Sequence, residues 1–178
     1  MAFGRRKSEK APLDEAGLLE YAVKSLASKM KSERDLRRRI AERTEPGEAG
    51  SEAVERTMAK LKELGYLSDE RFAADYTRLR QENEKFGRRR VQQGLMQKGI
   101  PAPLANSALG KQYDDVDEVA LARQYAERKR MKKPADQKET AKAMRRLLAA
   151  GFSSSAVWKL LRSWGAEVEE VDVVEDEV

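Results

Sequence analysis

The sequence has no cysteine and no histidine among its 178 residues. The first absence rules out disulfides and thiolate chemistry, and the second removes imidazole as a metal ligand or general base. Nucleophilic catalysis by Cys–His or Ser–His pairs is excluded with them. A carboxylate-only Mg²⁺ site is the one metal chemistry left open, so no cofactor, no metal and no catalytic residue is expected. Five prolines and eleven glycines are too few to break the chain often. Runs of Val, Ile and Thr that favour strands are missing outside the extreme C-terminus. No apolar run approaches the ~20 residues of a membrane span, so no membrane contact is expected. The basic start Met1–Lys7 is followed by no apolar core and does not read as a signal peptide, which makes cytoplasmic residence the expectation.

What is present is helix-forming. Apolar residues make up 40% and charged residues 38%, enough for a core if each element buries one stripe. Leu18, Ala22, Leu26 and Met30 recur at i+4, and Leu36 and Ile40 follow the N-cap signal Ser32. A third helix is predicted to start at Ser51 and to align Val54, Met58 and Leu61. A fourth runs from Ser68 through Phe72, Tyr76 and Leu79 until Gly87 interrupts, and a fifth carries Val91 and Leu95. Leu104, Ala108 and Leu109 mark a sixth, opened by Pro101 or Pro103. Asp115 with Glu118 opens a seventh, and Ala141, Met144, Leu147 and Leu148 form the stripe of an eighth. Ser153 caps a ninth with Val157, Leu160, Leu161 and Trp164. Tyr66, Phe72, Tyr76 and Phe152 read as core.

A local design repeats three times. An apolar helix ends in glycine, an apolar residue follows, and a new helix starts: Gly65–Tyr66, Gly99–Ile100 and Gly151–Phe152. Glycine supplies the positive φ that closes the helix, and the next side chain folds back on it. The nine helices group into units 14–65, 69–112 and 115–165, flanked by segments 1–13 and 166–178 read as disordered. The expected class is all-α, an array of three tandem three-helix repeats. Being small and helical, the chain is taken as a monomer.

Charge is unevenly spread. Residues 166–178 hold seven acidic side chains and no basic one, so the rest carries 36 basic against 24 acidic groups, a net +12. A body that basic points to nucleic acid or an acidic protein surface. Three arginine-dense turns fall on the second helix of each unit: Arg37, Arg38 and Arg39; Arg88, Arg89 and Arg90; and Arg145 and Arg146 with Lys142. The linker Arg128, Lys129, Arg130, Lys132 and Lys133 is a fourth patch. Together they are the candidate basic groove. Arginine suits the role because its fork pairs bidentately with phosphate or carboxylate. No aromatic is read as interleaved with these runs.

The stretches Ala22-x3-Leu26 to Leu36, Leu64-Gly-Tyr-Leu-Ser-Asp-Glu-Arg-Phe-Ala73, Gly87-x3-Val91-x3-Leu95-x2-Lys-Gly-Ile100 and Arg146-Leu-Leu-Ala-Ala-Gly-Phe-Ser153 resemble, in order, the RecX regulatory family. The resemblance covers about 18–164. It implies an elongated, curved row of three-helix repeats that docks on the RecA–DNA filament, limits strand exchange and co-protease activity, and has no catalytic residues. DNA itself would then be bound weakly and without sequence preference. The alternative is a direct DNA-binding protein of helix-turn-helix type, with 69–85 and 87–98 as the helix pair. Asp69 and Glu70 could serve as acid and base in an enzyme, but they stand where a helix first turn favours negative charge.

Overall fold

The computed structural model describes residues 11–166. Among them are nine α-helices and no strand: α1 (Glu15–Ser28), α2 (Glu33–Ala41), α3 (Glu48–Glu63), α4 (Asp69–Glu84), α5 (Arg88–Gln97), α6 (Ala102–Tyr113), α7 (Glu118–Arg128), α8 (Gln137–Ala149) and α9 (Ser154–Ser163). The chain divides into two compact units, Met1–Phe72 and Ala73–Val178.

In the first unit α1, α2 and α3 pack pairwise. Their stripes Leu18 and Ala22, Leu36 and Ile40, and Val54, Met58 and Leu61 form one core, closed by Leu67. Each such Leu, Ile or Met side chain removed from water contributes roughly 1.5–3 kcal/mol. Ser32 caps α2 as expected, accepting from Asp35 N. A second acceptor comes from outside the helix: Asp69 Oδ1 takes the Glu33 N–H at 2.8 Å. Burial disfavours the Asp69 carboxylate and holds its pKa above the ordinary aspartate value, although the Glu33 N–H pulls the other way. The folded chain therefore binds this proton more readily than the unfolded one, and stability falls as pH rises between the ordinary and the raised value. Asp69→Asn keeps the acceptor without the charge. The expected result is a flatter dependence of the unfolding midpoint on pH between about 4 and 6, and an unchanged slope would refute it.

In the second unit α5 packs on α6, and α9 packs on both α7 and α8. Gln112 donates to Gln81 Oε1 at 2.7 Å, and Tyr113 Oη donates to the Phe86 carbonyl at 2.7 Å, joining α6 to α4 and its exit. Burial pushes the Tyr113 phenol far above its ordinary value, so it stays a donor. Tyr125 of α7 stands between Phe86, at 6.1 Å between ring centroids, and Phe152, edge-on at 5.7 Å.

Several expectations shift. Tyr66 is 55% exposed rather than core, and Leu67 fills the place expected of it. The backbone latch itself forms at all three sites: Tyr66, Ile100 and Phe152 each donate to the carbonyl six positions back in the closing turn, Leu61, Leu95 and Leu147. Helix α3 starts at Glu48, with Ser51 inside its first turn, because Gly50 packs against the Glu45 carbonyl where no Cβ would fit. Asp117 rather than Asp115 caps α7, accepting from Val119 N and Ala120 N. The buried face of α8 is Thr140, Ala143 and Leu147; Ala141 is exposed and Leu148 is 36% exposed. Leu13 N donates to the Arg43 carbonyl at 2.8 Å and Leu13 packs on the core, so the end of the 1–13 segment is anchored. Residues 1–10 and 167–178, both read as disordered, lie outside the described residues.

Helix α7 closes differently from its neighbours. Arg130 takes φ 50° at its end, and Met131 N donates back to Ala126 O at 2.8 Å. Glycine stands at the equivalent place after α3, α5, α8 and α9. A Cβ at positive φ costs roughly 1–2 kcal/mol. Arg130→Gly is therefore expected to raise stability by about 1 kcal/mol, allowing for the extra chain entropy of glycine. Urea unfolding checks it, and a lowered midpoint would show the arginine side chain to be structural.

Candidate functional site

The best-defined concentration of positive charge is where α5 begins. Gly87 is its N-cap and provides no side-chain acceptor. The orphan N–H groups are satisfied by another helix end: Gly87 N donates to Ala150 O at 2.9 Å and Arg89 N to Gly151 O at 3.2 Å. The carbonyl end of α8 thus meets the amide end of α5, and the two helix dipoles align favourably. The approach is close because both partners are glycine. A Cβ on Gly87 would lie 2.3 Å from Gly151 O, and one on Gly151 would lie 2.2 Å from Arg90 N.

Onto this junction the chain places three arginines, at the helix end that disfavours cations. Arg88 pairs with Asp114 at 2.8 Å. The Arg90 guanidinium lies 5.9 Å from the centre of the Phe86 ring. Arg89 is exposed and has no ion pair among the described residues. Arg145 and Arg146, also exposed, sit about one turn before Ala150 on α8. A cavity of about 390 Å³ opens beside them, lined by Arg88, Arg89, Tyr113, Asp114, Glu118 and Ser153 among others. Glu118 closes its far side, taking Ser153 N at 2.7 Å and Ser153 Oγ at 2.5 Å.

The other candidate cations are distributed. Arg37 pairs with Glu55 and Arg38 with Asp35 at 3.9 Å, both in the first unit. Arg39 is exposed, and its charge adds to the burial that lowers the Lys31 pKa. Lys142 is exposed on α8, two turns before its end. Arg128, Lys129, Arg130, Lys132 and Lys133 are all exposed between α7 and α8. The structure brings Arg88–Arg90 and Arg145–Arg146 to one junction, while Arg37–Arg39 belongs to the other unit. Nor do the three turns occupy equivalent places: Arg88 starts α5, whereas Arg38, Arg39 and Arg146 end theirs. The reading of no aromatic among the arginines is corrected by Phe86, whose signal was its place directly before Gly87-Arg88-Arg89-Arg90. Among the described residues no cluster of acidic side chains could hold a metal, and no helix is long and apolar enough to cross a membrane.

Comparison with known proteins now bears on this site. Residues 68–109, which include the arginine turn of α5, match the family model for RecX, second three-helix domain. A regulatory protein RecX of Leptothrix cholodnii is 34% identical over 141 residues, 79% of this chain and 85% of that one. The Escherichia coli K12 regulatory protein RecX is 35% identical over 156 residues, 84% of this chain and 92% of its own. The chain belongs to the RecX family. Two crystal structures share the fold: RecX from Lactobacillus salivarius, with TM-score 0.64 at 19% identity, covers 85% of this chain and 96% of its own. Another regulatory protein RecX, with TM-score 0.65 at 26% identity, covers 84% of this chain and 73% of its own. The all-helical RecX architecture therefore accounts for the α4–α6 region as an element of the family, with Gly87 and the arginines inside it.

Proposed function

We propose that this RecX-family protein is a non-enzymatic cytoplasmic regulator that binds the RecA–DNA filament and restrains its recombinase and co-protease activities. The observation that carries the reading is the arginine turn at the start of α5, within the region matched by the family model. Three cations gathered at an electropositive helix end, against the local electrostatic preference, are what a surface for phosphate or acidic protein requires. The three-unit grouping 14–65, 69–112 and 115–165 would present such turns more than once to a repeating polymer. The protein acts in this reading as a monomer, without metal or cofactor.

The helix-turn-helix alternative needs the first residues of α5 free to meet base edges. Two of their N–H groups are engaged by α8. Binding to bare DNA is accordingly expected to be weak and to fall steeply with salt, since it rests on counterion release.

The test is RecA-catalysed strand exchange and ATP hydrolysis, titrated with the protein and with an R89E/R145E/R146E variant. These three side chains are exposed and make no ion pair among the described residues, so helicity should be unaltered. The half-inhibitory concentration is expected to rise by about tenfold or more as the attraction turns to repulsion. Undiminished inhibition by the variant would remove the junction as the interface, and no inhibition by the parent would end the reading.

A further inference from the structure

We propose that the acidic segment 167–178 is an intramolecular occupant of the cationic segment 128–133, screening it until a stronger polyanion displaces it. For its consequence, control of access to the filament, this rests on the function proposed above. Five cations stand in these six residues, and none has an ion pair among the described residues. The arginines of the α5 junction, by contrast, are partly engaged already, Arg88 by Asp114 and Arg90 by Phe86. Arg130 is held at φ 50° where four other helix ends of this chain have glycine. Stability is forgone there to keep a cation, so packing does not explain the residue.

The complementary charge lies within reach. Seven carboxylates and no basic group follow Ala166, just beyond α9. Helix α9 starts at Ser153, which Glu118 at the start of α7 holds by two hydrogen bonds. Each of these helices is about 15 Å long. Twelve extended residues span up to about 40 Å, so the acidic segment can meet 128–133 and still pair along it. Individual exposed pairs contribute at most about 1 kcal/mol and are screened beyond about 8 Å at physiological salt. Tethering raises the effective concentration to the millimolar range, which makes the contact populated yet displaceable.

Two measurements decide it. In the full chain at low ionic strength, zero-length carbodiimide coupling followed by mass spectrometry should join acidic residues of 167–178 chiefly to Lys129, Lys132 and Lys133. These links should fall several-fold at about 0.5 M salt. Links spread over all exposed lysines in proportion to their exposure would overturn the proposal. Next, affinity for a labelled oligothymidylate of about twenty nucleotides is compared between the full chain and one ending at Ala166. Truncation should tighten binding about tenfold at low salt in the parent, and only about twofold in an R128Q/K132Q/K133Q background. Equal tightening in both would reveal a general charge effect and overturn it. Coupling as expected in a chain that leaves RecA untouched would support the screen and overturn the filament reading instead.

Discussion

Gly87→Ala and Gly151→Ala are each expected to destabilise the second unit by about 4 kcal/mol or more, among the largest effects of single substitutions. The two act for different reasons. Gly87 has an ordinary φ of −72°, so alanine meets no backbone strain there. Its entire effect is the clash with Gly151, whose carbonyl carbon and oxygen would lie 2.4 and 2.3 Å from the new Cβ. Gly151, at φ 93°, adds the left-handed penalty of roughly 1–2 kcal/mol to a clash with Arg90 N and Cβ. Neither neighbour is a flexible side-chain tip, so α5 or α8 has to move. Movement breaks the Gly87–Ala150 and Arg89–Gly151 hydrogen bonds, leaving buried backbone groups unpaired at about 1–3 kcal/mol each.

Gly65→Ala is the internal control. It shares the positive φ, at 72°, but nothing lies within 4 Å of its added Cβ. About 1 kcal/mol is expected there, the left-handed penalty less the entropy alanine removes from the unfolded chain. Urea unfolding followed by fluorescence reports the second unit, since Trp158 and Trp164 both lie in it. The double variant G87A/G151A should fall well short of the sum, because both changes break the same junction. A Gly87→Ala protein within 1 kcal/mol of the parent would mean that the two helix ends do not meet in solution.

The junction also marks the limit of what the chain discloses locally. Helix existence was legible because stripes such as Leu36–Ile40 and Val91–Leu95 bury a single face, and each latch carries its own glycine. Gly87 read as an interruption, since nothing near it announces a partner sixty-four positions on. The arginine turns of α5 and α8 were read as one motif in successive repeats, whereas the contact that unites them is between helix ends. Three aspartates, 114, 115 and 117, were equally plausible caps for α7. The choice of Asp117 frees Glu118, the first helical residue, to serve Ser153. Tyr66 was misread because the latch needs only the backbone of that residue, and Leu67 supplies the apolar side chain. In each case the deciding interaction is long-range, and local spacing carries no record of it.

The bond between Glu118 and Ser153 gives the second large effect. Glu118 Oε1 accepts from Ser153 N and its Oε2 from Ser153 Oγ, and the same Oγ accepts from Ala156 N at 3.2 Å to cap α9. One carboxylate therefore fixes the hydroxyl that starts a helix, as Asp69 serves the start of α2 through Glu33 N. Glu118→Ala leaves the part-buried Ser153 N–H without its acceptor and frees the hydroxyl to rotate. Loss of two charge-assisted hydrogen bonds is expected to destabilise by about 2–3 kcal/mol. Ser153→Ala keeps the backbone bond but loses the cap, for about 1 kcal/mol. Glu118→Gln retains one acceptor and should fall between the parent and Glu118→Ala. The double variant E118A/S153A should be less destabilised than the sum by about 1 kcal/mol, the signature of two groups acting through one hydroxyl. Because α7 and α9 pack on each other and Glu118 also walls the cavity beside Arg88 and Arg89, loosening this bond should weaken RecA inhibition more than its stability loss explains. Strict additivity, or inhibition that tracks the folded fraction alone, would reduce Glu118 to an ordinary surface acid.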